Sequence, residues 1–243
     1  MTPPVFYVDP SRLSGDSLVL DGPEGRHAAV VRRVTKGERV DLSDGAGNVA
    51  ECVVARVDEA TVHLSVVDRR SEPAPRPRLV VVQALVKGAA EDAVTSMTEV
   101  GVDQIVPWAA ERAIVQWEGA RGEKSRARWQ SAAREAGKQS RRARFPDVTE
   151  LATTADVAAR LRAASLGVVL HESATRSLAT AAVPPAGDVI VVVGPEGGIT
   201  DEELAAFTAV GAAACRMGPT VLRAATAGTA AAATLLSRTP RWS

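Results

Sequence analysis

A chain of 243 residues, 46% hydrophobic and 24% charged, is long enough to bury a sizeable core and to divide into two domains. Its formal net charge is zero, so total charge names no partner, and no apolar run reaches the length of a membrane span. The N-terminus, MTPPVFYVDP, lacks the basic-then-apolar pattern of a secretory leader, which points to a cytoplasmic protein. Cys52 and Cys215 sit far apart in apolar segments, and His27, His63 and His171 share no ligand spacing. Two buried, inert thiols and no metal are therefore expected.

The first element is a helix over 24–34, where His27, Val30, Val31 and Val34 recur at helical spacing. Residues 39–43, 48–57 and 61–67 then alternate or are β-branched, with DGAG at 44–47 and DEA at 58–60 as turns. This predicts a small antiparallel β domain. SEPAPRPR at 71–78 favours extended polyproline geometry and ends it. The expected division is a β domain over 1–72, a linker over 73–78 and a second domain over 79–243.

Beyond the linker the pattern becomes α/β. Strands at 79–86, 104–108, 167–171, 189–193 and 213–217 alternate with helices, which predicts a parallel sheet. A helix over 90–100 puts Ala90, Val94, Met97 and Val100 on one face, with Gly101 as its C-terminal cap and Met97 in the core. The Ala/Thr-rich segment 224–236 suits close packing against another backbone, either in a second subunit or in the sheet of the same chain.

Two turns carry the ligand signal, although the first, taken alone, reads more simply as an ordinary β-to-α turn. VIVVVGPEGGITDEE at 189–203 runs a buried strand into Gly194, Gly197 and Gly198, expected to allow positive φ and close ligand approach. Thr200 and Glu203 follow at the spacing of a capping box. Glu196, Asp201, Glu202 and Glu203 disfavour phosphate there, so a neutral or cationic ligand fits better. MGPTVLRAAT at 217–226 follows a strand in the same way, and two such carboxyl-end loops form one crevice. Neither loop is a dinucleotide or P-loop motif.

Charge is uneven along the chain. Residues 121–147 hold nine basic and three acidic residues, a surplus of six, whereas residues 1–70 hold nine basic and eleven acidic. GKQSRRARF puts four cations in a short polar run, which favours phosphate contact. One tyrosine and three phenylalanines do not make a stacking platform, so structured RNA suits the chain better than a single strand.

Several segments resemble one family in their order along the chain: HAAVVRRV (27–34), SDGAG (43–47), VKGAAEDAVTSMTEVGVDQIVPW (86–108), ERAIVQW (111–117), EAGKQSRR (135–142), LHES (170–173), GPEGGIT (194–200) and MGPTVLRAATA (217–227). They are similar to the SPOUT-class RNA methyltransferases of the RsmE type, the 16S rRNA uridine-N3 methyltransferases. The resemblance implies a PUA-like β-barrel domain for RNA, then an α/β trefoil-knot domain with a parallel sheet around S-adenosyl-L-methionine (SAM). It also implies a homodimer acting on 16S rRNA within the small ribosomal subunit, which favours the second-subunit contact for 224–236. Carried over by position, Leu170, His171, Glu172, Gly194, Pro195, Glu196, Gly198, Met217, Gly218, Val221, Leu222 and Thr226 surround the cofactor, and Arg223 is catalytic. Arg32, Arg33, Lys87, Arg112, Lys138, Arg141 and Arg142 contact RNA. Glu196 and His171 are candidate proton acceptors, with helix capping favoured for Glu196 and a packing or hydrogen-bonding role for His171. The family reads LRTETA where this chain has Leu222-Arg223-Ala224-Ala225-Thr226-Ala227, without one hydroxyl and the carboxylate. That departure keeps open a competing reading, an RNA-binding assembly factor without catalysis; a SPOUT enzyme acting on another RNA is the third.

Overall fold

A computed structural model describes residues 2–242. They form two compact units, one of residues 2–74 with 134–145 and the other of 75–133 with 146–242. Residues 134–145, expected with the second domain, pack with the first.

In the first unit, strands β1 (Val5–Tyr7), β2 (Ser17–Leu20), β3 (Arg39–Ser43), β4 (Asn48–Asp58) and β5 (Thr61–Ser71) make one sheet in the order β1-β3-β4-β5-β2. The three predicted strands are its centre. β1 and β2 were not predicted, and β1 pairs parallel to β3, so the sheet is mixed where an antiparallel one was expected. Inward side chains at alternate positions, among them Phe6, Leu20, Val40, Leu42, Cys52, Val54, Val62 and Leu64, form one core. Burial pushes the Cys52 thiol up to about 11, helped by the nearby Asp41 charge. It is accordingly an unreactive thiol.

The early helix differs from expectation in its face. Helix α1 (Gly22–Arg26) runs into a π-helical turn, His27–Val31, closed by Arg32 N–H donating to the His27 carbonyl at 2.8 Å. The wider π turn rotates the register, so Ala28 and Val34 turn inward while Val30 and Val31 are 48% and 68% exposed. Val34 N–H reaches back to the Ala28 carbonyl, and Arg33 between them takes the left-handed conformation at φ 55°.

Helix α3 (Gly119–Gln139) ends in the first unit in the same manner. Arg142 N–H donates to Gly137 and Arg141 N–H to Lys138, a Schellman closure with Arg141 at φ 59° in the position that usually holds glycine. A side chain in that conformation costs about 1–2 kcal/mol. The ring of Phe145 fills the space over two true glycines, Gly45 and Gly137, at each of which a Cβ would collide with it. The SDGAG and EAGKQSRR segments thus meet on one aromatic ring.

The second unit is built on a parallel sheet of order β11-β9-β10-β6-β7-β8. Its strands are β6 (Arg78–Ala84), β7 (Gln104–Trp108), β8 (Asp147–Val148), β9 (Leu166–Leu170), β10 (Asp188–Val193) and β11 (Ala213–Cys215). Five of the six were expected. The continuous apolar runs follow from burial on both faces. Leu79, Val81, Val189 and Val191 face one core with helices α2 (Ala90–Val100) and α6 (Ala224–Leu236). Val80, Val82, Ile190 and Val192 face another with α4 (Thr154–Ala163) and α5 (Asp201–Ala209).

α2 has the predicted bounds, a left-handed Gly101 cap and a fully buried Met97. The small residues of α6, including Ala227, Gly228, Ala231 and Ala232, are buried against β6, β10 and α2, so an internal contact accounts for them. α4 was missed, although Thr153 and Asp156 carry a capping-box spacing and the structure forms both of its hydrogen bonds. Among the described residues no helix is long and apolar enough to cross a membrane.

Candidate active site

Strand order decides which loops meet. β11, β9 and β10 are consecutive parallel neighbours, so the segments after them, 216–223, 171–177 and 194–200, leave one edge of the sheet together. β6 lies on the other side of β10, and Lys87, just past its end, donates its N–H to Glu196 Oε1 at 3.4 Å. The residues assigned by position, Leu170 to Glu172, Gly194 to Gly198 and Met217 to Leu222, are therefore gathered at the carboxyl ends of three adjacent strands.

The turn at 194–198 is tightly determined, though not for the expected reason. Only Gly198 has positive φ, at 79°. At Gly194 a Cβ would lie 2.6 Å from Ile199 Cγ1, and at Gly197 it would lie 3.0 Å from both Cβ and the carbonyl oxygen of Arg112. Two of the three glycines serve close packing. Arg112, expected on RNA, donates from Nη1 to the Gly197 carbonyl at 3.5 Å.

Glu203 anchors this turn from behind. Its carboxylate, in a residue only 4% exposed, accepts from Thr200 N–H at 3.0 Å and from Glu111 N–H at 2.8 Å, while Thr200 Oγ1 accepts from Glu203 N–H at 3.2 Å. The capping box is complete as read from the sequence, and it occupies the role considered for Glu196. Glu196 itself is exposed and does not cap the helix. The bond from Glu111 joins α5 to the segment after β7, a link that local spacing does not encode.

The segment 217–222 is the opposite case. Among the described residues, none of its N–H or C=O groups makes a backbone hydrogen bond. Val221 is 75% exposed, and a Cβ on Gly218 would meet nothing within 4 Å. Arg223 follows as the N-cap of α6; its side chain makes no cap hydrogen bond and, among the described residues, no ion pair. Thr226, also exposed, donates its N–H to the Arg223 carbonyl. A row of unbonded amides and carbonyls, open space at Gly218 and a free guanidinium suit a polar ligand with several acceptors and donors. Beside them, His171 Nδ1 is 2.8 Å from Ser173 Oγ, and the backbone N–H of His171 donates to the Cys215 carbonyl.

Of the residues assigned to RNA, Arg32, Arg33 and Arg141 are exposed and their side chains make no hydrogen bond or ion pair among the described residues. Lys87 is exposed, and Arg142 is half-buried and engaged within the protein. Lys138 departs from expectation. It is 7% exposed, and Nζ sits 2.6 Å from Glu24 Oε1 and 2.8 Å from Glu135 Oε1. Two carboxylates neutralise the ammonium, which makes it a structural ion pair rather than an open phosphate contact.

A parallel sheet that gathers three such loops at one edge, together with a small β unit, is the α/β arrangement that the resemblance to the SPOUT class with a PUA-like domain implies. The RNA methyltransferase domain model matches residues 72–236, and the RNA methyltransferase PUA domain model matches residues 20–67. The chain is 44% identical, over 98% of its length and 93% of the relative's, to ribosomal RNA small subunit methyltransferase E of Mycobacterium bovis. The enzyme of that name from Bacillus subtilis is 27% identical, over 86% of this chain and 85% of its own. A Legionella pneumophila protein solved with bound SAM superposes with a TM-score of 0.87 at 26% identity, covering 98% of this chain and 99% of that one. The chain belongs to the RNA methyltransferase family, alongside the small-subunit methyltransferases E.

Proposed function

We propose that this protein transfers a methyl group from SAM to N3 of one uridine in 16S rRNA. The observation that carries the reading is the segment 217–222, which makes no backbone hydrogen bond among the described residues and runs into Arg223, unpaired among them, at the edge shared by three loops. The name of the relative at 44% identity and the SAM held by the Legionella protein support it.

SAM, when bound, supplies an electrophilic methyl. The residues that hold it in this reading are the backbone groups of Leu170, His171, Glu172, Gly194, Pro195, Glu196, Gly198, Met217, Gly218, Val221 and Leu222, with Thr226 nearby. The chain's part is to place uridine N3 in line, which converts an encounter into an oriented unimolecular step. N3 would give up its proton to water as it takes the methyl, whose bonding pair stays on the donor sulfur, and the negative charge that builds on the ring would spread onto the uracil carbonyl oxygens. Arg223 stabilises that charge, together with the amides of Ala224 and Ala225 at the start of α6.

In the same reading, residues 1–72 with the 134–145 segment that packs on them bind RNA, 73–78 link, and the rest of 79–243 methylates. The partners are 16S rRNA in the small subunit, in the cytoplasm, and a second copy of this chain.

Incubating small subunits and naked 16S rRNA with the protein and labelled SAM, followed by mass analysis of nucleosides, tests it. N3-methyluridine at one position is expected. Tight binding of RNA with no methyl transfer would leave the non-catalytic assembly factor in its place, the reading that the loss of a hydroxyl and a carboxylate at Ala224 and Ala225 keeps open.

A further inference from the structure

Within the first unit alone lies a cleft of about 510 Å³, lined among others by Val5, Phe6, His27, Arg32, Lys138 and Arg141. Pockets for small ligands run from about 300 to 1,000 Å³, so the space is of the right order for one nucleotide. One wall is apolar, formed by Val5 and the half-buried His27, whose ring meets Phe6 edge-on at 5.8 Å. The Lys138 charge is spent on Glu24 and Glu135. The free positive charge is therefore that of Arg32 and Arg141, both exposed and both without a side-chain partner among the described residues.

The backbone makes the same point independently. Arg141 occupies the left-handed closing position of α3, and Arg33, next to Arg32, occupies the corresponding position after the π turn. Glycine is the residue that fits such positions without strain. Of these two strained arginines, 108 residues apart in sequence, Arg141 itself lines the cleft, while Arg33 holds the backbone beside the lining residue Arg32. Strain retained in this way marks positions kept for what the side chain does. A π turn beside it is a further device common at functional sites.

We propose that this cleft anchors a single nucleotide of the RNA, its phosphate held by Arg32 and Arg141 and its base laid against the Val5 and His27 wall. Guanidinium groups suit the phosphate because they donate two parallel hydrogen bonds. The apolar wall suits a base face. The inference rests on the reading of the protein as an RNA methyltransferase and adds a nucleotide that is held without being modified.

Arg141→Gly separates this role from a structural one, because it removes the cation and the left-handed strain together. The expected result is a melting temperature equal to or above that of the unaltered protein, with a several-fold higher KM for rRNA. The salt dependence of RNA binding should become shallower by about one in slope. Arg32→Ala should shift KM and slope in the same direction. Unchanged RNA affinity and slope in both variants would overturn the proposal.

The base is tested by following the His27 ring resonances of the full-length protein during titration with uridine, cytidine, adenosine or guanosine monophosphate, against ribose 5-phosphate. Nucleotides should move His27 where ribose 5-phosphate does not; equal shifts, or none, would reduce the cleft to a phosphate patch and overturn the base site. If the unaltered protein methylates rRNA and the arginine variants leave KM alone, only this inference fails. If it binds RNA through Arg141 yet methylates nothing, the functional reading fails and the cleft stands.

Discussion

The turn at 194–198 and the segment 217–222 follow strands of one sheet and leave it at one edge, yet they are held differently. The first is fixed by packing on Ile199 and Arg112 and by the Glu203 carboxylate behind it. The second makes no backbone hydrogen bond among the described residues and is largely exposed. In the proposed reading, a site built from one preformed wall and one uncommitted wall divides its labour: the turn at 194–198 sets position, and the open segment supplies donors and acceptors whose ordering the ligand completes. Preformed parts lower the entropy that binding costs, while the open part stays accessible.

The largest effect that would break this comparison lies at the end of the open segment. Arg223→Ala should lower kcat about 100-fold or more, as loss of a charge-stabilising donor does, with SAM affinity nearly unmoved. Single-turnover methylation and calorimetry read the two quantities separately; parallel losses in both would make Arg223 a binding group.

On the rigid side, Glu203→Ala deletes the α5 cap and leaves the Thr200 and Glu111 amides without their acceptor. A loss of about 2–3 kcal/mol is expected, and a melting temperature lower by about 5–10 °C. Gly194→Ala forces a Cβ against Ile199 and should cost about 1–2 kcal/mol while weakening SAM binding several-fold in the same calorimetric assay.

Hydrogen exchange sharpens the contrast without mutation. Saturating SAM should slow exchange of the 217–222 amides about tenfold and change those of Thr200 and Glu203 little, since these are already bonded. Equal protection in both regions would remove the distinction.

The smallest effect is far from the site. The Thr153 hydroxyl, then its amide, holds the Asp156 carboxyl below its usual range, so this cap stabilises the start of α4 above the ordinary carboxylate value and is lost as pH falls through the lowered one. Exchange at the first turn of α4 should rise only at the acid end, and Asp156→Asn should flatten that rise.

Much of this was legible in local pattern. The strand from 189 to 193, the capping box of α5, the bounds of α2 with its glycine cap and the pair of carboxyl-end loops follow from periodicity, β-branching and short-range hydrogen-bonding rules, which act over a few residues. The short strands β1, β2 and β8 were not, because two to four residues carry too little pattern and exist only through their partners. The π turn was hidden because sequence spacing assumes the ordinary helical period, and Val30 and Val31 were turned outward by the wider turn.

By itself the amino-acid sequence determined the β and α/β parts of the chain, the cores of both and the residue types at the ligand edge, since burial and backbone preference are written locally. Tertiary structure alone decided that β11, β9 and β10 lie side by side, that Glu203 reaches Glu111, and that Lys138 is consumed by Glu24. It also decided that Arg32 and Arg141 border one cleft. These are encounters between residues up to 114 positions apart, and charge or spacing along the chain does not encode which distant partner will desolvate or neutralise a group.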